Sequence, residues 1–81
     1  MARPRPQILV VDDDAATREG LLALLDSWGY QASEAADGKA ALAVCDKGLP
    51  QAIVTDLMMP GMTGLEFVAA LAERVARRTF F

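Results

Sequence analysis

Four aspartates in this chain follow apolar runs, and their positions suggest a site for a cation. Residues 12–14 are all aspartate and come directly after the apolar residues 8–11, and Asp56 follows a second apolar run at residues 52–54. Such runs are typical of parallel strands covered on both faces, where an unpaired charge is too costly to bury. Each strand should therefore end where its acids begin, at the edge of the sheet where α/β proteins bind ligands.

The carboxylates of Asp12, Asp13 and Asp56 are expected to converge if their two strands are neighbours, about 4.8 Å apart. Carboxylates this close repel one another unless a positive group lies among them. A small number of oxygen ligands suits Mg²⁺, which keeps several of its waters. A cation beside a carboxylate also offsets the charge of a phosphoryl group delivered to that carboxylate. The alternative is that Asp13 and Asp14 only cap a helix and that Asp56 is an ordinary acid at a strand end.

The elements that must position these acids alternate between strand and helix. The pattern predicts strands at residues 8–11, 30–35 and 51–56, and helices at about residues 15–28, 38–47 and 65–77. This alternation is typical of a parallel sheet with right-handed crossovers. The second strand is the most polar and is predicted at an edge, which gives an α/β fold with strand order 2-1-3. The first helix should cover one face of the sheet, and the second and third helices the other.

The apolar residues of the helices indicate which side chains are buried. Asp14 is placed to cap the first helix, and Gly29 to end it in the left-handed conformation. Helical spacing predicts inward-facing side chains at Leu21, Leu24, Leu25 and Trp28 in the first helix, at Ala41, Leu42 and Cys45 in the second, and at Leu65, Val68, Ala69, Leu71, Ala72 and Val75 in the third.

Length and composition restrict the class of protein. The 81 residues, 53% of them hydrophobic, make one small domain. We expect residues 7–81 to form it and residues 1–6, with two prolines, to be a flexible tail. The absence of histidine excludes a histidine-ligated metal, and a net charge of −3 argues against direct nucleic-acid binding. The single cysteine, Cys45, excludes an internal disulfide and fits a reducing cytoplasm. No apolar run approaches the roughly 20 residues that span a bilayer.

Three separate segments resemble one known family. Residues 8–14 (ILVVDDD), the pairs Asp37-Gly38 and Ala41-Leu42, and residues 56–64 (DLMMPGMTG) together resemble the receiver domain of bacterial two-component response regulators. The resemblance covers about residues 7–75. It implies a flavodoxin-like fold and a role in phosphorelay signalling, with a sensor histidine kinase or phosphotransfer protein as partner, rather than an enzyme.

The resemblance also implies roles for individual residues. Asp56 resembles the phosphoacceptor. Asp13 resembles a direct Mg²⁺ ligand, and Asp12 a ligand that acts directly or through water. The backbone carbonyl of Met58 resembles the third protein ligand. Met59-Pro60 and Gly64 resemble the turn that shapes the loop after the third strand.

The chain departs from the family by having three βα units where receiver domains have five. The units without a counterpart carry a Ser or Thr and a Lys that bind the phosphoryl group. Thr17, Thr63, Lys39 and Lys47 lie in other elements and do not replace them. We therefore expect the N-terminal three-fifths of a receiver domain, slow or absent phosphorylation, and a homo-oligomer formed through the exposed edge of the third strand. The alternative function is a switch-deficient receiver that acts as a structural or dimerisation module.

Two other classes with acidic motifs fit less well. Haloacid-dehalogenase-like phosphatases also have an apolar strand that ends in acids, but they require Asp-x-Asp-x-Thr or Val. Here Asp12-x-Asp14 is followed by Ala16, so the final position of that motif fails. An EF-hand is disfavoured because glycine is absent from position six of the loop.

Overall fold

The alternating pattern folds into a three-layer α/β arrangement. The computed structural model describes residues 5–78, and its elements in order are β1 (Gln7–Val11), α1 (Ala15–Ser27), β2 (Gln31–Ala35), α2 (Gly38–Lys47), β3 (Ala52–Thr55) and α3 (Gly64–Arg78). The three strands are parallel and lie in the order β2-β1-β3, so the predicted topology is confirmed. Residues 1–4, which belong to the predicted tail, and residues 79–81 lie outside the described residues.

The apolar side chains of the central strand β1 alternate between the two faces of the sheet. Ile8 and Val10 pack against Leu25 of α1 on one face. Leu9 and Val11 pack on the other face against side chains of α2 and α3. Both faces of β1 are covered, which is why its residues 8–11 are an unbroken apolar run and are all buried. The predicted division of the helices between the faces is confirmed.

Helix α1 begins and ends as its sequence predicts, but its predicted face is only partly buried. Gly29 has a φ of 91°, a left-handed conformation that glycine adopts without steric cost, and it follows the last turn. Leu25 is buried and Leu21 is half-buried, whereas Leu24 is 43% and Trp28 is 64% exposed. The outer part of the apolar stripe therefore faces away from the sheet in the described structure.

The buried face of helix α3 overlaps the predicted one only in part. Phe67 is fully buried, and Ala70 and Leu71 pack partly buried against the same core. Leu65 is 71% and Val68 is 49% exposed. The prediction is therefore wrong for the exposed Leu65, Val68, Ala69 and Ala72 and right for the half-buried Leu71 and Val75. The difference arises because the large ring at residue 67 sets the buried stripe at positions 67, 70 and 71.

Two further features concern the borders of the sheet. Arg5 contacts the Asp26 carboxylate at 2.8 Å and the carbonyl oxygen of Tyr30, and the carbonyl oxygen of Pro6 accepts from the Gln31 amide at 2.8 Å. At the opposite border, β3 pairs only with β1 among the described strands, and Val54 is 42% exposed.

No helix within residues 5–78 has the length and apolar character that crossing a membrane requires.

Candidate functional site

Backbone hydrogen bonds position Asp12 and Asp56 at the same edge of the sheet. The Asp12 amide donates to the carbonyl oxygen of Ala35 at 3.2 Å, which extends the β1–β2 ladder by one bond. The Asp56 amide donates to the carbonyl oxygen of Val11 at 2.9 Å, which extends the β1–β3 ladder. Each acid thus begins where its strand ends, and the parallel pairing brings the two strand ends together.

The structure brings Asp12, Asp13 and Asp56 together as one acid cluster, the name used for these three residues below. Each offers a carboxylate oxygen, and these atoms all lie within 4.8 Å of one another. Asp12 and Asp56 are half-buried and Asp13 is exposed. Within residues 5–78 none of the three forms an ion pair with lysine or arginine. Three carboxylates at this spacing favour a bound cation, which would relieve their mutual repulsion.

Asp14 is excluded from the cluster by its role in α1. Its Oδ2 accepts hydrogen bonds from the amide of Thr17 at 2.8 Å and from the Thr17 hydroxyl at 2.5 Å, so it is the N-cap of the helix. The Thr17 hydroxyl, followed by the Thr17 amide, lowers the pKa of Asp14 below its ordinary value of 3.8, and Arg18 adds a smaller effect in the same direction. The helix-cap interpretation is therefore right for Asp14.

Asp56 is held by the first residues of the loop that follows β3. The Met58 amide donates to Oδ1 of Asp56 at 3.3 Å, which restricts rotation of the carboxylate. The Met58 side chain is 76% exposed, in keeping with a role for its main chain only.

Gly64 allows α3 to begin directly beside the end of β3. A Cβ atom at residue 64 would lie 2.2 Å from the carbonyl oxygen of Asp56 and 2.9 Å from Cα of Leu57, and both of these are backbone atoms. Thr63 and Glu66 form a capping box at the start of the helix. The Thr63 amide donates to the Glu66 carboxylate, and the Glu66 amide donates to the Thr63 hydroxyl, both at 3.1 Å. The start of α3 is therefore tied to the carbonyl of the residue that carries the third carboxylate.

Sequence reasoning missed Arg18, which contacts the backbone of the cluster. Its Nη1 donates to the carbonyl oxygen of Asp12 at 2.8 Å, and its Nε donates to the Glu34 carboxylate at 2.9 Å. The Arg18 side chain is only 15% exposed. The sequence could have indicated this contact, because Arg18 lies four residues after the helix cap Asp14, on the turn of α1 nearest the acids.

Comparison with known proteins identifies the family. A model of the response regulator receiver domain matches residues 8–79. The chain belongs to the response regulator receiver domain family. The response regulator MprA of Mycolicibacterium vanbaalenii is 48% identical over 60 residues, which are 74% of this chain and 26% of that protein. The MprA protein of Mycobacterium tuberculosis matches with the same identity and coverage.

Solved receiver structures agree with this assignment. The chemotaxis response regulator CheY4 of Vibrio cholerae superposes with a TM-score of 0.86 at 36% identity, covering 94% of this chain and 63% of that one. A response regulator receiver protein from Pseudomonas putida superposes with a TM-score of 0.79 at 35% identity, covering 93% and 64%. This receiver chain thus spans 26% of the length of the curated relatives and less than two thirds of these solved chains.

Proposed function

We propose that Asp56 is the phosphoacceptor of a two-component signalling pathway, with a sensor histidine kinase or phosphotransfer protein as donor. In this proposal Mg²⁺ is held by Asp12, Asp13, Asp56 and the backbone carbonyl of Met58. The observation that carries it is the convergence of three carboxylate oxygens within 4.8 Å at the ends of two neighbouring strands. Membership of the receiver family supports the same role.

The acid cluster fits Mg²⁺ by the chemistry of its donors. The candidate protein ligands are all oxygen atoms and are few in number. Asp13 faces solvent, so there is room for the waters that Mg²⁺ retains. When bound, the ion would offset the charge of the carboxylates and of the incoming phosphoryl oxygens.

Asp56 acts as the nucleophile in the proposed transfer. One of its carboxylate oxygens forms a bond to phosphorus, the bond between phosphorus and the donor imidazole nitrogen breaks, and that nitrogen keeps the electron pair. The Met58 amide, 3.3 Å from Oδ1, orients the carboxylate for this attack. The chain is the acceptor in this reaction rather than an enzyme that turns over a separate substrate, and the proposal places it in the cytoplasm.

Phosphorylation of the 81-residue chain tests the proposal. We expect modification by acetyl phosphate, measured by intact mass, to be slow or absent, because within residues 5–78 no lysine or arginine pairs with the acid cluster and could stabilise the equatorial oxygens. Any modification should require Mg²⁺, map to Asp56, and be lost in Asp56→Asn but kept in Asp26→Asn. Modification that persists in Asp56→Asn would overturn the assignment of the phosphoacceptor. Fast, Asp56-dependent modification would show that the lysine and hydroxyl partners are not needed.

The exposed border of the sheet favours a second candidate, a structural module that associates through β3. Among the described strands β3 pairs only on its β1 side, and Ala52 and Val54 on its α1-side face are exposed. Unpaired edges with apolar side chains promote pairing with another chain. In this candidate a second copy pairs with β3 and the chain acts as a dimerisation module rather than as a switch.

A further inference from the structure

We propose that Arg18 is a positioning residue for the acid cluster, a role that rests on the proposed Mg²⁺ site. Its guanidinium group joins α1, which carries it, to Glu34 of β2 and to the backbone of Asp12. Nε donates to the Glu34 carboxylate at 2.9 Å, and Nη1 donates to the Asp12 carbonyl oxygen at 2.8 Å, so the two hydrogen bonds point in different directions from the planar group. With only 15% of its side chain exposed, Arg18 is held in one place.

The bond from Arg18 is one of several that hold the segment between β1 and α1. The Asp12 carbonyl oxygen accepts from Arg18, and Oδ1 of Asp12 accepts from the Asp14 amide at 2.9 Å. Asp14 is in turn fixed to Thr17 as the helix cap. Asp13 lies in the middle of this restrained segment, so the orientation of two of the three cluster acids depends on bonds made around Asp12.

Charge and geometry predict opposite effects when Arg18 is changed. A positive charge near a cation site repels the cation, so an arginine that acted only through its charge would weaken Mg²⁺ binding and its removal would tighten it. An arginine that holds the ligands in place has the reverse effect, because loss of a group that orients metal ligands costs about 10- to 100-fold in affinity. The sign of the change therefore identifies the role.

Two substitutions separate the charge of Arg18 from its shape. Arg18→Lys keeps the charge, but a lysine ammonium cannot reproduce the fixed fork that reaches both Glu34 and the Asp12 carbonyl. Arg18→Gln removes the charge as well. We expect both variants to bind Mg²⁺ more weakly than the parent, by about tenfold for Arg18→Lys.

The experiment is a titration of the full 81-residue chain with magnesium chloride, followed by NMR of the backbone amides of residues 12–14 and 58. Arg77→Lys is the matched control, because Arg77 pairs with Glu73 at 2.6 Å on the exposed surface of α3 and should leave the affinity unchanged. Unchanged affinity in Arg18→Lys, or tighter binding in Arg18→Gln, would overturn the inference alone. A parent that binds no Mg²⁺ would overturn the proposed site and this inference with it.

A milder substitution keeps the test valid if the Arg18 variants do not fold. Glu34→Gln leaves Arg18 in place and weakens the ion pair that supports it. We expect a smaller loss of Mg²⁺ affinity and, in the metal-free protein, faster hydrogen exchange at the Asp14 amide, which donates to Asp12. Parent-like exchange together with parent-like affinity would contradict a positioning role.

Discussion

Asp14 lies next to the acid cluster, yet its carboxylate stabilises a helix rather than a cation. It accepts two hydrogen bonds from Thr17, and these favour the ionised form. The same sequence of three aspartates thus contains two residues that face the neighbouring strand end and one that caps α1. The difference follows from the backbone, because the N-cap side chain must turn back toward the first free amides of the helix.

The lowered pKa of Asp14 predicts how acid affects the fold. Its contribution to stability is complete above the unfolded-state pKa, near 3.8, and is lost as the pH falls through the lower pKa of the folded state. Thr17→Ala removes the hydroxyl bond, so the pKa of Asp14 should rise toward 3.8, while Thr17→Ser should keep it low. Carboxyl carbon NMR across an acid titration measures both, and an unchanged pKa in Thr17→Ala would contradict this explanation.

The close approach of the backbone at Gly64 can be tested by substitution. Gly64→Ala should destabilise the fold by about 1–3 kcal/mol, since the added methyl group would meet backbone atoms of Asp56 and Leu57 that cannot move freely. Gly20→Ala is the matched control: nothing lies within 4 Å of its Cβ position in α1. That change should stabilise the helix by about 0.5–1 kcal/mol. Urea unfolding of both variants compares them, and equal effects would refute the close approach at Gly64.

Helix α3 packs against the core mainly through one aromatic ring. Phe67 is fully buried between the sheet and α2, while Leu65 on the same helix is mostly exposed. A helix of this amphipathic kind gains most of its stability from the buried face rather than from its own hydrogen bonds.

The two faces of α3 should respond very differently to truncation. Phe67→Ala is expected to cost about 3–5 kcal/mol, because it removes a buried ring and leaves a cavity. Leu65→Ala should change the stability by no more than about 0.5 kcal/mol. Chemical denaturation monitored by circular dichroism gives both values, and a large loss in Leu65→Ala would show that the predicted rather than the observed face is buried.

In the structural-module candidate, association occurs through the border of the sheet at β3. Pairing of two β3 strands across a two-fold axis would join two three-stranded sheets into one of six strands and bring together the faces that carry Val54. Ile53, on the opposite side of the strand, packs against the core instead. A charge at residue 53 would therefore unfold the chain rather than test its assembly.

We expect the 81-residue chain to be a dimer and Val54→Lys to be a folded monomer, as measured by size exclusion with light scattering. Val68→Lys is the control, because Val68 is a similarly exposed valine that lies on helix α3 rather than on strand β3, and the change should leave the dimer intact. A parent that runs as a monodisperse, cooperatively unfolding monomer would contradict association through β3.

The topology and the acid cluster were predictable because both follow from local patterns. Apolar runs that end in acids mark strand ends, and parallel pairing then brings Asp12 and Asp56 together. The buried face of α3 was not predictable in the same way, since Leu65 and Phe67 are both apolar and only packing against α2 selects the ring. Arg18 was missed for a related reason: its partners, Glu34 and the Asp12 carbonyl, are brought within reach only by the folded sheet.

If the acid cluster is a single Mg²⁺ site, a calorimetric Mg²⁺ titration should detect it and identify its ligands. We predict weak binding to the parent that Asp13→Asn and Asp56→Asn each weaken further, because each removes one charged oxygen ligand from a site with few others. Asp26→Asn, which alters an exposed acid paired with Arg5 at the far end of α1, should bind as the parent does. Parent-like binding by both Asp13→Asn and Asp56→Asn would contradict a Mg²⁺ site at the acid cluster.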